Sequence, residues 1–370
     1  MFCGLSPVSE KPFDAFAVVE VYSGLKERQP DAAFCINLSW IIVEEFLMLK
    51  KLVLCCLFAG LACCLFAAEP ESVYISATNV RIRATPSTAA PVVATLKLGT
   101  SGKIAAKTPE KFDLLGKNDH WYQITTDEKQ TGWVFGGLVV LYNEPERFQK
   151  AIELLNSRLK IEDIKVEDAA QAYEFARKMK ELAPHSPDKA RLELAFLKAI
   201  DASVNSLMLT EKDTGPGKKI IEANPGLVYQ HECAGRCFVK PESYWQLSEK
   251  YADLPEMADE IAWEATKQPQ QGETEGDPDM VLAFFEESTA VYIEKFPSGR
   301  YIGEAFAQGS EMFKFITDTL TADYFAADAE RQKFIARLEK LEKSARQAPT
   351  SPARESYINN LAAVCARASN

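Results

Sequence analysis

Histidine is scarce in this chain, with three in 370 residues, each far from the others. There is no H-E-x-x-H zinc motif and no G-x-S-x-G nucleophile elbow, so no catalytic residue of recognisable type is offered. Long basic runs are also lacking. Lysines and arginines form at most pairs such as Lys50-Lys51 and Lys218-Lys219, against a net charge of -11. That argues against a nucleic-acid partner, which requires a cationic face to displace counterions from phosphates. Cysteine is nearly missing from the body: only Cys233, Cys237 and Cys365 follow residue 64, which excludes a large disulfide framework.

One long apolar run is present. Lys50-Lys51 precede Leu52 to Ala68, a stretch of 17 uncharged residues that ends in Ala67-Ala68 before Glu69-Pro70. A positive start, an apolar middle and small residues at the end describe a secretory signal. It begins at Met48, so residues 1–47 are expected to be an over-extended start or a disordered prefix, and residues 48–68 the signal peptide. Cys63 after Gly60-Leu61-Ala62 leaves lipidation open as an alternative, and with it membrane attachment through a lipid anchor or the signal itself. Either way the body is expected outside the cytoplasm, in the periplasm or cell envelope.

From residue 69 to 142 the pattern is β-like. "VRIRATPS", "APVVATLKLG", "SGKIAAK", "HWYQITT" and "TGWVFGGLVVLY" are short runs separated by turn residues, which predicts a small all-β barrel. The segments resemble the bacterial SH3 (SH3b) family. Val80-Arg81-Ile82-Arg83-Ala84-Thr85-Pro86-Ser87 matches its opening motif, with arginine for asparagine at 81 and threonine for glycine at 85. Val93, Leu96 and Gly99 match its second motif, Trp121-Tyr122-Gln123-Ile124 its third and Gly132-Trp133-Val134 its last. The resemblance implies a non-catalytic module that tethers envelope proteins to peptidoglycan or to peptides. Trp133, Val134, Val80 and Ile82 are expected to fill the barrel. Trp121 and Tyr122 are placed either in the core or on an exposed rim, and with His120 they are the candidate ligand-binding residues. Lys107 to His120 reads as a long loop on the barrel.

Residues 143–370 carry helical periodicity, as in "EPERFQKAIELLNSRL", where Phe148, Ile152, Leu155 and Leu159 share a face. Ser186-Pro187 and Asp277-Pro278 read as helix starts, and breaks are expected at Leu254-Pro255 and Pro297-Ser298-Gly299. The last of these, with Phe296, Pro297, Tyr301, Glu304 and Ala305, resembles a segment of tetratricopeptide-like envelope proteins. Phenylalanine replaces the first tyrosine of that segment, and Gly299 stands in the serine's place. Tyr251 and Phe296 are 45 residues apart, longer than the regular unit of about 34. An irregular helical repeat or a bundle is therefore predicted, with a loop or hairpin inserted at 212–242. The region is also similar to bacterial exported proteins with an SH3b front. In "HECAGRC" (His231 to Cys237) a fourth metal ligand is lacking, and a Cys233–Cys237 disulfide closing the hairpin is expected instead.

The function implied is that of a multidomain, non-enzymatic envelope binding protein. Its barrel takes peptidoglycan or a peptide, its helical domain presents a surface to a protein partner, and no cofactor or metal is required. The alternative is a cell-wall hydrolase or lyase that uses the barrel for targeting.

Overall fold

The computed structural model describes residues 71–205, 215–270 and 272–369. The expected signal peptide, Cys63 and the first part of the 212–242 insertion lie outside the described residues. Residues 70–370 form one compact unit.

Its β part begins with β1 (Ser72–Ile75), β2 (Val80–Arg83), β3 (Val92–Leu96) and β4 (Ser101–Lys107). Then come β5 (Phe112–Leu114), β6 (Lys117–Asp119), β7 (Trp121–Thr126), β8 (Thr131–Phe135) and β9 (Val139–Tyr142). Seven of them make an antiparallel, SH3-like sheet in the order β3-β2-β8-β7-β4-β1-β9. Alternation sends Val73, Ile75, Val80, Ile82, Leu96, Tyr122, Ile124 and Val134 into one core. β1 is buried on both faces. Val73 and Ile75 fill the barrel, whereas Tyr74 points into the core of the helical part.

Lys107 to His120, expected as a loop, instead forms the separate hairpin β5–β6. Leu115 and Gly116 turn it with φ of 55° and 71°. Positive φ at both central residues matches the right-handed twist of paired strands, so a two-residue turn closes the hairpin.

Eleven helices follow among the described residues. They start with α1 (Arg147–Leu159), α2 (Val166–Leu182), α3 (Pro187–Val204) and α4 (Pro216–Ala223). After the hairpin β10 (Val228–Gln230) and β11 (Cys237–Val239) come α5 (Pro241–Lys250) and α6 (Pro255–Ala265). The chain ends with α7 (Pro278–Glu286), α8 (Thr289–Lys295), α9 (Ile302–Thr319), α10 (Asp328–Ala345) and α11 (Pro352–Ser369). Ser186 and Asp277 accept the amides of Lys189 and Met280 as N-caps, and proline opens α3 and α7 with its missing N–H at no cost. Residues 278–296, read as one helix, divide at Ser288, whose hydroxyl donates to the Phe284 carbonyl at 2.6 Å and competes with the backbone ladder.

The helices enclose two apolar cores, one from α1 to α6 and one from α6 to α11. Ile261 of α6 serves the first, and Ala262 and Trp263 serve the second. Between α6 and α9 a buried network ties the last break. The Tyr292 hydroxyl donates to Asp259 Oδ1 at 2.5 Å, the Arg300 N–H to Asp259 Oδ2 at 2.6 Å, and the Tyr301 N–H to Tyr292 Oη at 3.1 Å. A Cβ at Gly299 would lie 2.7 Å from Asp259 Oδ1, which accounts for glycine where the resembled segment has serine.

No linker separates barrel from helices. The Tyr74 and Tyr142 rings stack at 4.3 Å, and the Phe175 ring of α2 meets Tyr74 edge-on at 5.1 Å. The Leu98 N–H donates to Gln171 Oε1 at 2.8 Å, and Arg158 of α1 donates to the Ser76 carbonyl.

Candidate functional site

Strand pairing decides which barrel side chains face outward. Arg83 of β2 lies opposite Trp133 of β8 and Val92 of β3, and Trp133 lies opposite Gln123 of β7. Directly paired residues share a face, so Val92, Arg83, Trp133 and Gln123 form one row across four strands. Val92 and its neighbour Val93 are 45% and 49% exposed. Trp133, Arg83 and Gln123 are half-buried. Arg83 is held in place by donating to the Ala90 carbonyl at 2.7 Å, at the end of the 84–91 loop. An indole flanked by a fixed guanidinium and an amide offers stacking and hydrogen bonding together, which suits a flat polar ligand such as a sugar or peptide group.

This corrects one expectation. Trp133 is not a core residue: one step along β8 from Val134, it faces the other way. Of the two placements left open for Trp121 and Tyr122, both take the buried one, being 4% and 7% exposed. Tyr122 faces the barrel core, while Trp121 packs against Phe135 with ring centroids 5.9 Å apart. His120, the third candidate, is half-buried, and its Nδ1–H donates to the Thr108 carbonyl at 2.8 Å.

A second outward feature is the β5–β6 hairpin. Phe112 and Leu115 are 37% and 67% exposed, Leu115 at the tip. Lys117 Nζ donates to the Gly137 carbonyl at 2.8 Å, and Asn118 to Asp113 at 2.7 Å, so the hairpin is braced although its tip is apolar. The sequence signal for it was the apolar "FDLLG" inside an otherwise polar stretch. The sheet's two ends differ. β9 lies against α1, while β3 pairs only with β2.

In the helical part a groove of about 960 Å³ runs between β10, α5 and α8 and is lined by Tyr229, Lys240, Glu242, Trp245, Glu287 and Lys295. Lys295 Nζ sits 5.7 Å from the Trp245 ring centre, and charges of both signs flank the indole. "HECAGRC" forms the turn of the β10–β11 hairpin without a bridge: Cys233 is exposed, Cys237 is buried, and both are free thiols. The expected disulfide is absent because the Cys237 side chain belongs to the helical core while Cys233 stands in solvent. Burial pushes the Cys237 thiol up from its ordinary value, and at exposed Cys233 slight desolvation together with the Glu273 carboxylate acts in the same direction. His231 closes the turn itself. Its Nδ1 accepts the Ala234 amide at 3.1 Å, and its Nε2–H donates to the Gln270 carbonyl at 2.8 Å. Among the described residues no group of three or more His, Cys, Asp or Glu side chains is placed to hold a metal ion.

No described helix is long and apolar enough to cross a membrane. A search of curated proteins finds no match to the chain. A search of solved structures finds none either. A family model does match, that of the bacterial SH3 domain, over residues 78–140. Domains of this kind are often peptidoglycan-binding or targeting modules and are typically extracellular or envelope-associated. The strand order, the single core and the matched motifs agree: residues 78–140 are a bacterial SH3 domain, extended by β1 and β9 and joined to a helical domain.

Proposed function

We propose that the protein is a non-enzymatic, extracytoplasmic binding protein whose SH3 domain takes peptidoglycan or an envelope peptide on the Arg83–Trp133–Gln123 row. The helical domain presents its Trp245 groove to a protein partner. The observation that carries this reading is Trp133, a half-buried indole turned away from the barrel core within a bacterial SH3 domain, a kind of module that often binds peptidoglycan. Large aromatics facing water at a fixed polar frame contribute much of the energy of such interfaces.

Cosedimentation of the full chain with purified peptidoglycan tests it. The wild type is expected to pellet and Trp133→Ala to stay in the supernatant, with affinity reduced about tenfold or more and an unchanged far-ultraviolet spectrum. Equal pelleting of both would refute the row as the site. Release of soluble muropeptides in that mixture would replace the binding reading by the hydrolase or lyase.

A second variant separates the hairpin's stability from its use. Leu115 holds a left-handed conformation that glycine adopts freely, so Leu115→Gly is expected to leave the denaturation midpoint unchanged or raise it, by up to about 1 kcal/mol of stability. Weaker cosedimentation of that variant would add the hairpin tip to the binding surface.

A further inference from the structure

A polar cleft of about 510 Å³ opens in the helical domain between the end of α1, the end of α3, the turn before β11 and helices α5 and α6. That volume suits a small molecule. Two groups at its wall are incomplete. Asp201 of α3 uses Oδ1 to accept the Val239 N–H at 3.0 Å, and among the described residues no cation pairs with it. Tyr244 of α5 is 1% exposed, lines the cleft, and its hydroxyl makes no hydrogen bond among the described residues.

The neighbouring charges do not fill the gap. Lys198 is engaged by Glu264 at 2.9 Å, and Glu264 by Lys267 at 2.9 Å as well. Burial raises the Glu264 carboxyl, but these two ammonium groups outweigh it and hold it below its ordinary value. Asp201 has no such compensation, and burial pushes its carboxyl up, opposed only by the Val239 amide. Glu162 and Asp163 add negative charge at the mouth, against Arg236. Asp201 and Tyr244 line the same cleft, near enough that the carboxylate charge adds to burial in pushing the hydroxyl up from its ordinary value, and each leaves a polar atom that a cationic donor can engage.

We infer that this cleft binds a small molecule through a protonated amine, with the ammonium group between Asp201 and the Tyr244 hydroxyl. One N–H bonds the free carboxylate oxygen, another bonds Tyr244 Oη, and the rest of the ligand lies along Asn205 and Gln268. The amine belongs either to an amino sugar or to a lysine-type side chain. This site is independent of the ligand taken by the barrel.

Calorimetric titration of the full chain with glucosamine, Nα-acetyl-lysinamide and N-acetylglucosamine provides the test. At least one of the two amines is expected to bind one to one, and N-acetylglucosamine, which lacks the charge, about tenfold more weakly or not at all. Glucosamine alone binding identifies an amino sugar; the lysine derivative alone identifies a side chain. Asp201→Asn keeps an acceptor for Val239 and removes the charge, so it should lose about tenfold or more in affinity without a lower thermal midpoint. Tyr244→Phe removes only the hydroxyl and should weaken binding several-fold, which keeps the test open if Asp201→Asn folds poorly. Absence of saturable amine binding, or equal affinity in both variants, overturns the inference.

Discussion

Asp259→Ala is expected to lower the stability of the chain by about 3–5 kcal/mol, a loss as large as that from emptying a core position. Asp259 is 8% exposed and accepts two hydrogen bonds, from the Tyr292 hydroxyl and the Arg300 N–H. Truncation leaves the buried Tyr292 hydroxyl and the part-buried Arg300 N–H without their acceptor, and an orphaned buried group costs about 1–3 kcal/mol. Burial and the bond to Asp259 already push the Tyr292 hydroxyl far above its ordinary value, so it cannot ionise to escape the loss. The damage should spread, because Tyr292 also holds the Tyr301 N–H, and Tyr301 stacks on Trp263 with ring centroids 5.4 Å apart. Asp259→Asn, with one carbonyl oxygen for two donors, should fall between wild type and alanine. Urea unfolding followed by tryptophan fluorescence would show this order. A loss below about 1 kcal/mol in Asp259→Ala would mean that water replaces the carboxylate, and that the network is not what closes the turn.

Gly99→Ala is expected to cost more than about 3 kcal/mol, for reasons of both conformation and space. Gly99 has a φ of 75°, and an added Cβ would fall within the Phe175 ring, 2.8 Å from the Phe175 Cβ. The Phe175 Cβ cannot move aside without moving α2, so the strain is transmitted to the contact between barrel and helices. Phe175→Ala alone should lose about 3–5 kcal/mol through its cavity. The double variant is expected to lose clearly less than the sum, because the truncated ring leaves room for the new methyl group. Additive losses would show that the backbone conformation, and not the contact with α2, dictates glycine here.

Much of the architecture was legible where one physical rule acts alone. "VRIR" alternates, and its Val80 and Ile82 point inward. Ser186-Pro187 and Asp277-Pro278 open helices as their capping chemistry requires. What was left open or misplaced lies where two environments meet. Adjacent strand residues face opposite ways, so Trp121 and Tyr122 cannot share one core, yet both are buried because the sheet is covered on its outer side at that end. The same alternation, followed one strand over, turns Trp133 outward while Val134 fills the barrel. β5 and β6 are three residues each and mostly polar, so their pairing leaves no periodic trace. The eight residues of α4 are too few to set a helical period beside two glycines and two prolines. As for the cleft, Asp201 and Tyr244 stand 43 positions apart. Only folding brings them to one wall.

The shared aromatic seam of Tyr74, Tyr142 and Phe175 has a consequence for how load and orientation pass through the molecule. SH3-type modules on flexible tethers let their cargo swivel. Here the chain passes from β9 through a single 3₁₀ turn into α1, and the last strand is packed against that helix. Whatever grips the outer row of the sheet therefore also sets the heading of the helices, as a bracket bolted to a beam sets the direction of its arm. Excised at residue 142, the barrel would lose that bracing and bare Tyr74, Tyr142 and Leu98 to water.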